Sequence, residues 1–367
     1  MTGFTDNQLM VRNAVGQICS EFPNTYWQEH DQQEKDPKEF HAVLEKAGRW
    51  HGGRAVYTRQ CLRDTASCKV WIEEQLKTAI PKIVPGECRV CFGVTEPNAG
   101  LDTLRLETVA KHNLDGSYSV TGQKIWITCA QVASKMILLA RTNPIEQVKK
   151  PSEGLSLFCI DLDRSQPGLE MRKIKKMGGR AVDANEVFFN KYHIPQSSII
   201  GEKDKGFKMI LHGMNAERCL LAGEALGIGY AALSRASEHP RTHIVFRRQI
   251  GMNQAITYPL ADAFIKLEGA KLATYHAARL YDQSKTDGSV RQDEIGIAAN
   301  SAKYMAAEAA FTACKRAVLT HGGMGYAMEY DVARWFRECL VPRIAPVGRE
   351  MILNYISEKV LELPRSY

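Results

Sequence analysis

Two stretches near the start of the chain carry hydrophobic residues at helical spacing. The first helix is expected over residues 6–22, with Leu9, Val11, Val15 and Ile18 on its apolar side. A second helix should begin at Pro37, because proline suits the first turn of a helix. Residues 59–79 are polar and show no clean period. The chain therefore opens with a helical region, which we bound at residues 1–88.

Short candidate strands dominate residues 89–203. They are Val90–Val94, Ser117–Val120, Lys124–Thr128, Met136–Ala140, Leu155–Ile160 and Glu186–Phe189. Sequences typical of turns, such as Leu-Asp-Gly at 114–116, separate them. Because no segment of helical period and length intervenes, we predict an antiparallel β-barrel or sandwich.

Helical periods return from residue 204 and continue to residue 367. The long patterns are Asp204–Ser237, with a break near Pro240, Ala255–Asp282 and Asp293–Thr320, followed by shorter helices at Asp331–Cys339 and Met351–Leu361. Long helices joined by short loops are typical of an antiparallel bundle. The pattern thus predicts an α+β multidomain protein made of a helical region, a central β domain and a helical bundle.

Composition narrows the class of protein. A chain of 367 residues with 44% hydrophobic and 24% charged residues fits a soluble protein of two or three domains. No apolar run is long enough for a membrane span, and the N-terminus has no targeting signal, so we expect an intracellular protein without assigning its compartment. The net charge of +7 is modest; it favours anionic substrates and does not indicate nucleic acid.

The ten cysteines show no disulfide framework, which suggests a reducing compartment. Cys88 and Cys91 form a lone C-x-x-C with no second pair to complete a zinc site. A chance pair at the start of a strand explains this spacing better than a redox function. We therefore predict no metal site.

Candidate chemistry concentrates in two phrases of the β region, Phe92–Asp102 and Gly122–Thr128. The first passes through a Pro-Asn-Ala-Gly turn, whose backbone N–H groups can hold a carbonyl-rich ring or a phosphate. In the second, strand alternation places Trp126 and Thr128 on one face, where an indole and a hydroxyl can line a flat cofactor with polar edges. The alternative is an ordinary turn and a tryptophan of the core.

These phrases resemble the acyl-CoA dehydrogenase flavoproteins, in which a V-T-E-P-x-A-G-S-D loop and a G-x-K-x-W-I-T strand hold FAD. The order of helical region, β domain and bundle is also that of the family. The resemblance is weak over residues 5–50 and strong over residues 81–367. It implies an FAD site that includes Phe92, Val94, Thr95, Gly100, Trp126 and Thr128.

The N-terminal region departs from the family pattern. Trp50 is followed by His-Gly-Gly-Arg rather than by a pair of long apolar helices, and the resemblance resumes at about Pro81. We infer that much of the N-terminal helical domain is missing or replaced. Since that domain lines the substrate cavity in the family, a more open cavity and a low turnover are expected.

A carboxylate lies on the apolar side of the helix predicted from Asp204. This side is formed by Ile210, Met214, Glu217, Leu221, Glu224 and Ile228. Desolvation there would raise the pKa of Glu217 and make it a better proton acceptor near neutral pH. A structural ion pair with Arg218 or another cation explains the same pattern. Periodicity alone leaves both roles open.

The resemblance favours a catalytic role for Glu217. Family members take the substrate's α-proton with a Glu in one of two places. In the I-Y-E-G-T phrase near the C-terminus, Pro346 stands where the Glu would be. The second place is an L-E-R phrase on the first bundle helix, and it matches Glu217 and Arg218, with Arg218 as a substrate contact. Glu350 is interpreted as a charge at a helix N-terminus.

The bundle carries further matches to the family's flavin site. His243, Phe246 and Gln254 correspond to residues that reach the FAD of a neighbouring subunit, which implies a homodimer or homotetramer. Gly322 and Gly323 correspond to the turn that approaches the diphosphate, although each glycine could also simply end a helix. His243 replaces an Arg, which should weaken pyrophosphate binding.

Leu101 marks a further departure, since it replaces the Ser or Thr that contacts flavin and substrate in the family. The resemblance as a whole implies an FAD-dependent acyl-CoA dehydrogenase of fatty acid metabolism. Its substrate would be a CoA thioester, and its electron acceptor an electron-transfer flavoprotein. The alternatives are a flavin oxidase of the same fold, such as an acyl-CoA or nitroalkane oxidase, and a catalytically impaired relative that only assembles with partners.

Overall fold

A computed structural model describes residues 4–50, 77, 80–83, 88–286 and 288–365 of the chain. These residues divide into two compact units. One comprises residues 5–214 and the other residues 215–365 together with Phe4. The segment from 51 to 76, where the sequence departs from the family pattern, lies outside the described residues, so the replaced N-terminal domain stays a prediction.

The first unit begins with helices α1 (Asp6–Ser20), α2 (Asn24–Gln33), α3 (Lys38–Trp50) and α4 (Ile80–Ile83). Thr5 and Gln8 form a capping box at the start of α1, each side chain accepting a hydrogen bond from the other residue's backbone N–H. The predicted helices α1 and α3 are confirmed. Helix α2 was not predicted, because its buried residues are the polar His30 and Asp31.

The β domain is one eight-stranded sheet. Its strands are β1 (Val90–Gly93), β2 (Val109–His112), β3 (Tyr118–Thr128), β4 (Lys135–Arg141), β5 (Leu155–Asp161), β6 (Leu169–Lys173), β7 (Ala184–Ile194) and β8 (Ile199–Ile200). The order is β6-β7-β3-β2-β4-β5-β8, and β1 also pairs with β4. The two strands predicted at 117–120 and 124–128 are one long strand, β3, and strands β2, β6 and β8 were missed.

Most strand pairs are antiparallel, as predicted, but β1 and β2 both pair with β4 in parallel. The predicted antiparallel sheet is thus present, together with two parallel strand pairs that the sequence did not reveal. Both faces of the sheet carry a core, one centred on residues such as Val120, Leu138 and Phe158 and the other on residues such as Ile137 and Leu157. Burial on both faces explains the nearly continuous apolar sequence of β4 and β5.

A long helix, α5 (Gly206–Thr242), runs from the first unit into the second. The second unit then contains β9 (Ile244–Val245), β10 (Arg248–Gln249), α6 (Gln254–Thr286), α7 (Gln292–His321), α8 (Asp331–Glu338), α9 (Val341–Ile344) and α10 (Arg349–Lys359). These bounds agree with the predicted helices to within a few residues. The break expected near Pro240 is found two residues beyond it, where α5 ends at Thr242.

Small residues allow the three long helices to pack closely. The shared core is largely alanine, including Ala225, Ala270 and Ala306. A Cβ atom on Gly229 would lie 2.7 Å from Leu267 of α6 and 3.1 Å from the backbone of Ala310 on α7. Despite their length, none of the helices within the described residues is apolar enough to cross a membrane.

Candidate active site

Trp126 faces outward from the β domain. Between Lys124 and Ile127 strand β3 contains one residue more than the facing stretch of β7, so a β-bulge forms there and Trp126 adopts a φ of 62°. Its side chain is 56% exposed, Thr128 is also exposed, and Ile127 between them is buried. The prediction that Trp126 and Thr128 share a face is confirmed, and the alternative of a core tryptophan is wrong.

A buried ion pair lies directly behind this surface. The Lys124 ammonium donates to Glu96 Oε1 at 2.8 Å and to the Val94 carbonyl at 3.0 Å. The Glu96 carboxylate also accepts the backbone N–H groups of Glu107 at 2.6 Å and Thr108 at 3.0 Å. Lys124 is 0% and Glu96 4% exposed, so the pair is largely shielded from water.

Both groups of this pair are held in their ionised forms around neutral pH. Burial lowers the pKa of Lys124 to about 8, although Glu96 opposes the change. Burial acts to raise the pKa of Glu96, but Lys124 and the hydrogen-bond donors outweigh it and hold this pKa below its usual value. The sequence prediction missed both residues. The sequence indicates them only in that each is a charged residue within one of the two segments predicted to hold flavin.

The ion pair and one backbone hydrogen bond connect the two segments predicted to hold flavin, Phe92–Asp102 and Gly122–Thr128. The Ile125 N–H donates to the Thr95 carbonyl at 2.9 Å, next to the bond from Lys124 to Val94. The structure therefore brings Thr95 and Trp126 close together. The other predicted residues of this region are the partly buried Phe92 and Val94 and the exposed Gly100 and Leu101.

In the second unit, Glu217 lies partly buried on α5. Burial raises the pKa of its carboxyl group, while the charges of Arg218 and Lys303 act in the opposite direction. The Arg218 Nη1 atom donates to Asn215 Oδ1 at 2.9 Å, and its Nε atom is buried without a partner among the described residues. Glu217 is thus a desolvated carboxylate beside two cations.

The segment that carries Pro346 is connected to this cluster. Lys303 of α7 donates to the Val347 carbonyl at 2.6 Å, next to the exposed Pro346. Lys303 was missed in the sequence, where it appears only as a lysine within an alanine-rich helix. Glu224, predicted on the same side as Glu217, is exposed. Glu350 is in the first turn of α10, which confirms its interpretation as a helix N-terminal charge.

The remaining bundle candidates lie at exposed turns. His243 immediately precedes the β9–β10 hairpin, and Phe246 at its tip is 93% exposed. Gln254 is the first residue of α6. Gly322 and Gly323 follow α7, where a Cβ atom would meet nothing within 4 Å.

A column of three histidine rings connects two of these turns. His243 stacks on His239 with 4.6 Å between the ring centroids, and His239 stacks on His321 at 4.4 Å. Burial lowers the pKa of His239, and the two flanking histidines act in the same direction.

These residues fit FAD. An exposed indole beside an exposed hydroxyl, backed by a fixed loop, suits a flat ring with polar edges. The open glycine turn after α7 leaves room for phosphates to approach the backbone. The two sets lie in different units, and each was predicted from the sequence.

Comparisons with known proteins find one family over most of the chain. Residues 91–192 match the family model "Acyl-CoA dehydrogenase, middle domain", and residues 204–361 match "Acyl-CoA dehydrogenase, C-terminal domain". Acyl-CoA dehydrogenase FadE12 of Mycobacterium tuberculosis is 34% identical over 307 residues, which are 83% of this chain and 76% of that protein. The caffeyl-CoA reductase-Etf complex subunit CarC of Acetobacterium woodii is 32% identical over 73% of this chain and 67% of its own length. The structure of butyryl-CoA dehydrogenase from Megasphaera elsdenii superposes with a TM-score of 0.85 and 26% identity, covering 98% of this chain and 99% of that one.

Proposed function

This chain belongs to the acyl-CoA dehydrogenase family, whose members are FAD-dependent oxidoreductases acting on CoA thioesters, and we propose that Glu217 is its catalytic base. The observation that carries the proposal is the partly buried Glu217 carboxylate beside Arg218 and Lys303. The other position at which the family places a base holds Pro346, which has no acid–base chemistry. Glu217 is therefore the carboxylate that fits the role.

The reaction needs a proton acceptor at the α-carbon of the thioester. The raised pKa of Glu217 makes its carboxylate a stronger base than an exposed glutamate, and the neighbouring cations keep it ionised. Arg218 is proposed to bind the substrate beside the base. Phe92, Val94, Thr95, Gly100, Trp126 and Thr128 are proposed to hold the flavin, with His243, Phe246, Gln254, Gly322 and Gly323 contributing from the bundle. Bound FAD supplies the acceptor for the hydride from the β-carbon.

An electron-transfer flavoprotein is the proposed partner. The caffeyl-CoA reductase relative belongs, by its name, to a complex with such a flavoprotein. Reoxidation of the reduced protein by a purified electron-transfer flavoprotein, with little oxygen uptake in its absence, would support this choice. Rapid oxygen uptake would instead support the oxidase alternative.

The first prediction concerns flavin binding. We expect Trp126→Ala to raise the Kd for FAD at least about fivefold, because aromatic stacking alone contributes about 1 kcal/mol and the lost buried area adds to it. Apo protein titrated with FAD, followed by flavin fluorescence, gives this Kd. Leu114→Ala, at a fully exposed turn of the same domain, is the matched control and should bind like the wild type. Equal Kd values for all three proteins would exclude Trp126 from the flavin site.

The second prediction concerns assembly. Tyr258, Ile265 and Leu272 recur every seven residues along α6 and are 62%, 68% and 62% exposed, so they form an apolar stripe on one side of the helix. We propose that a second copy of the chain covers this stripe in a homodimer or homotetramer. Light scattering should give a multiple of 41.1 kDa at micromolar concentration. Ile265→Lys should shift the protein toward monomer, whereas Leu114→Lys should not, and a monomeric wild type would contradict the proposal.

A further inference from the structure

Lys303 is a buried cation in the middle of helix α7. Its side chain is 1% exposed and packs among fully buried alanines of the same helix. The bond to the Val347 carbonyl uses one of its three ammonium donors, and no second acceptor lies within hydrogen-bond distance among the described residues. A buried ammonium group is costly unless another charge compensates it. Its position therefore calls for an anionic partner.

Glu217 supplies that opposite charge. Burial lowers the pKa of Lys303 to about 8, Arg218 acts in the same direction, and Glu217 opposes both. The cluster draws on three helices: Glu217 and Arg218 lie on α5, Lys303 lies on α7, and Tyr355, which acts on Arg218, lies on α10. Lys303 is thus positively charged at neutral pH and loses its charge above about pH 8.

We propose that Lys303 is a positioning residue for the base: it holds the 344–348 segment through Val347 and supplies a positive charge to the buried cluster of Glu217 and Arg218. The proposal rests on the role proposed for Glu217 and goes beyond it, since it assigns a function to Lys303 of α7. The hydrogen bond to Val347 fixes the segment, and the ammonium charge acts on Glu217 through the buried interior, without a direct hydrogen bond.

A double-mutant cycle tests the coupling without any need for activity. Thermal unfolding of the purified full-length protein is measured at pH 7 for wild type, Glu217→Gln, Lys303→Met and the double variant. In the Lys303→Met background Glu217 keeps its desolvation cost but loses a compensating charge. Glu217→Gln should therefore raise Tm by at least about 2 °C more there than in the wild type.

Lys315→Met provides the matched control, because Lys315 is an exposed lysine on the same helix. In that background Glu217→Gln should shift Tm as it does in the wild type. The additional rise in Tm that Glu217→Gln causes in the Lys303→Met background should also shrink at pH 9.5, because Lys303 is neutral there. Equal Tm shifts in the wild-type and Lys303→Met backgrounds at pH 7 would overturn the proposal.

The pH profile of flavin reduction by an acyl-CoA separates this proposal from the proposed function. Removing Lys303 should move the acid limb to higher pH, so that Lys303→Met is roughly threefold slower than the wild type on that limb and similar to it above pH 8. A purely structural role would lower the rate equally at every pH and would overturn the proposal. If the wild type does not reduce its flavin, the proposed function fails, and the Tm cycle still decides the coupling.

Discussion

Replacing Lys124 by methionine should lower the free energy of unfolding of the β domain by about 3–5 kcal/mol. Methionine fills most of the same volume, so the loss is mainly electrostatic. The variant leaves the Glu96 carboxylate buried without its counter-charge, and it leaves the Val94 carbonyl without its ammonium donor. Urea unfolding followed by far-UV circular dichroism measures the effect.

A surface ion pair on a strand of the same sheet provides the control. Lys135 of β4 bonds to Asp161, whose side chain is 72% exposed, so Lys135→Met should cost no more than about 1 kcal/mol. The double variant Lys124→Met with Glu96→Gln should recover part of the loss, because glutamine carries no charge to compensate and its single oxygen can still accept one of the two backbone N–H groups. The free energy of unfolding of Lys124→Met could instead lie within about 1 kcal/mol of the wild-type value. In that case the buried ion pair does not stabilise the loop that contains Glu96.

The bundle was predictable because its helices are long and their patterns are local. Bounds such as Asp293–Thr320, against an observed Gln292–His321, differ by one residue at each end. Helix α2 was not predictable in this way. The Asp31 side chain accepts from the Arg180 guanidinium at 2.9 Å, and the two residues lie 149 positions apart in the chain. No local pattern reveals such a partner.

The candidate site was predictable in its residues and not in its geometry. Alternation along β3 correctly placed Trp126 and Thr128 on one face, but the bulge depends on the register between β3 and β7. Lys124 and Lys303 were missed because lysine is a surface residue in most proteins. Their burial follows from a partner in another segment, Glu96 for the first and Val347 for the second.

The largest effect on activity is expected from Glu217→Gln. Glutamine keeps the shape and the hydrogen-bonding capacity of the side chain but cannot accept the α-proton. A general base contributes about 10²- to 10⁴-fold to the rate, or roughly 3–5 kcal/mol of barrier. Anaerobic stopped-flow reduction of the FAD-loaded protein by an acyl-CoA should slow by that factor. Because the pKa of Glu217 is raised, the wild-type rate should also fall as the pH drops through that pKa, and the variant should lack this limb.

Two controls distinguish the loss of the base from unfolding of the protein: the melting temperature and a variant of a neighbouring carboxylate. A glutamate whose pKa is raised in the folded state costs stability when it is ionised, so Glu217→Gln should melt at or above the wild-type temperature at pH 7. Glu224→Gln, at an exposed position of the same helix, should reduce flavin at the wild-type rate. The rate of flavin reduction by Glu217→Gln could instead lie within about threefold of the wild-type rate. This loss is much smaller than a general base usually causes, so another group would then take the proton. Glu224 and Glu350 would then be the next carboxylates to replace.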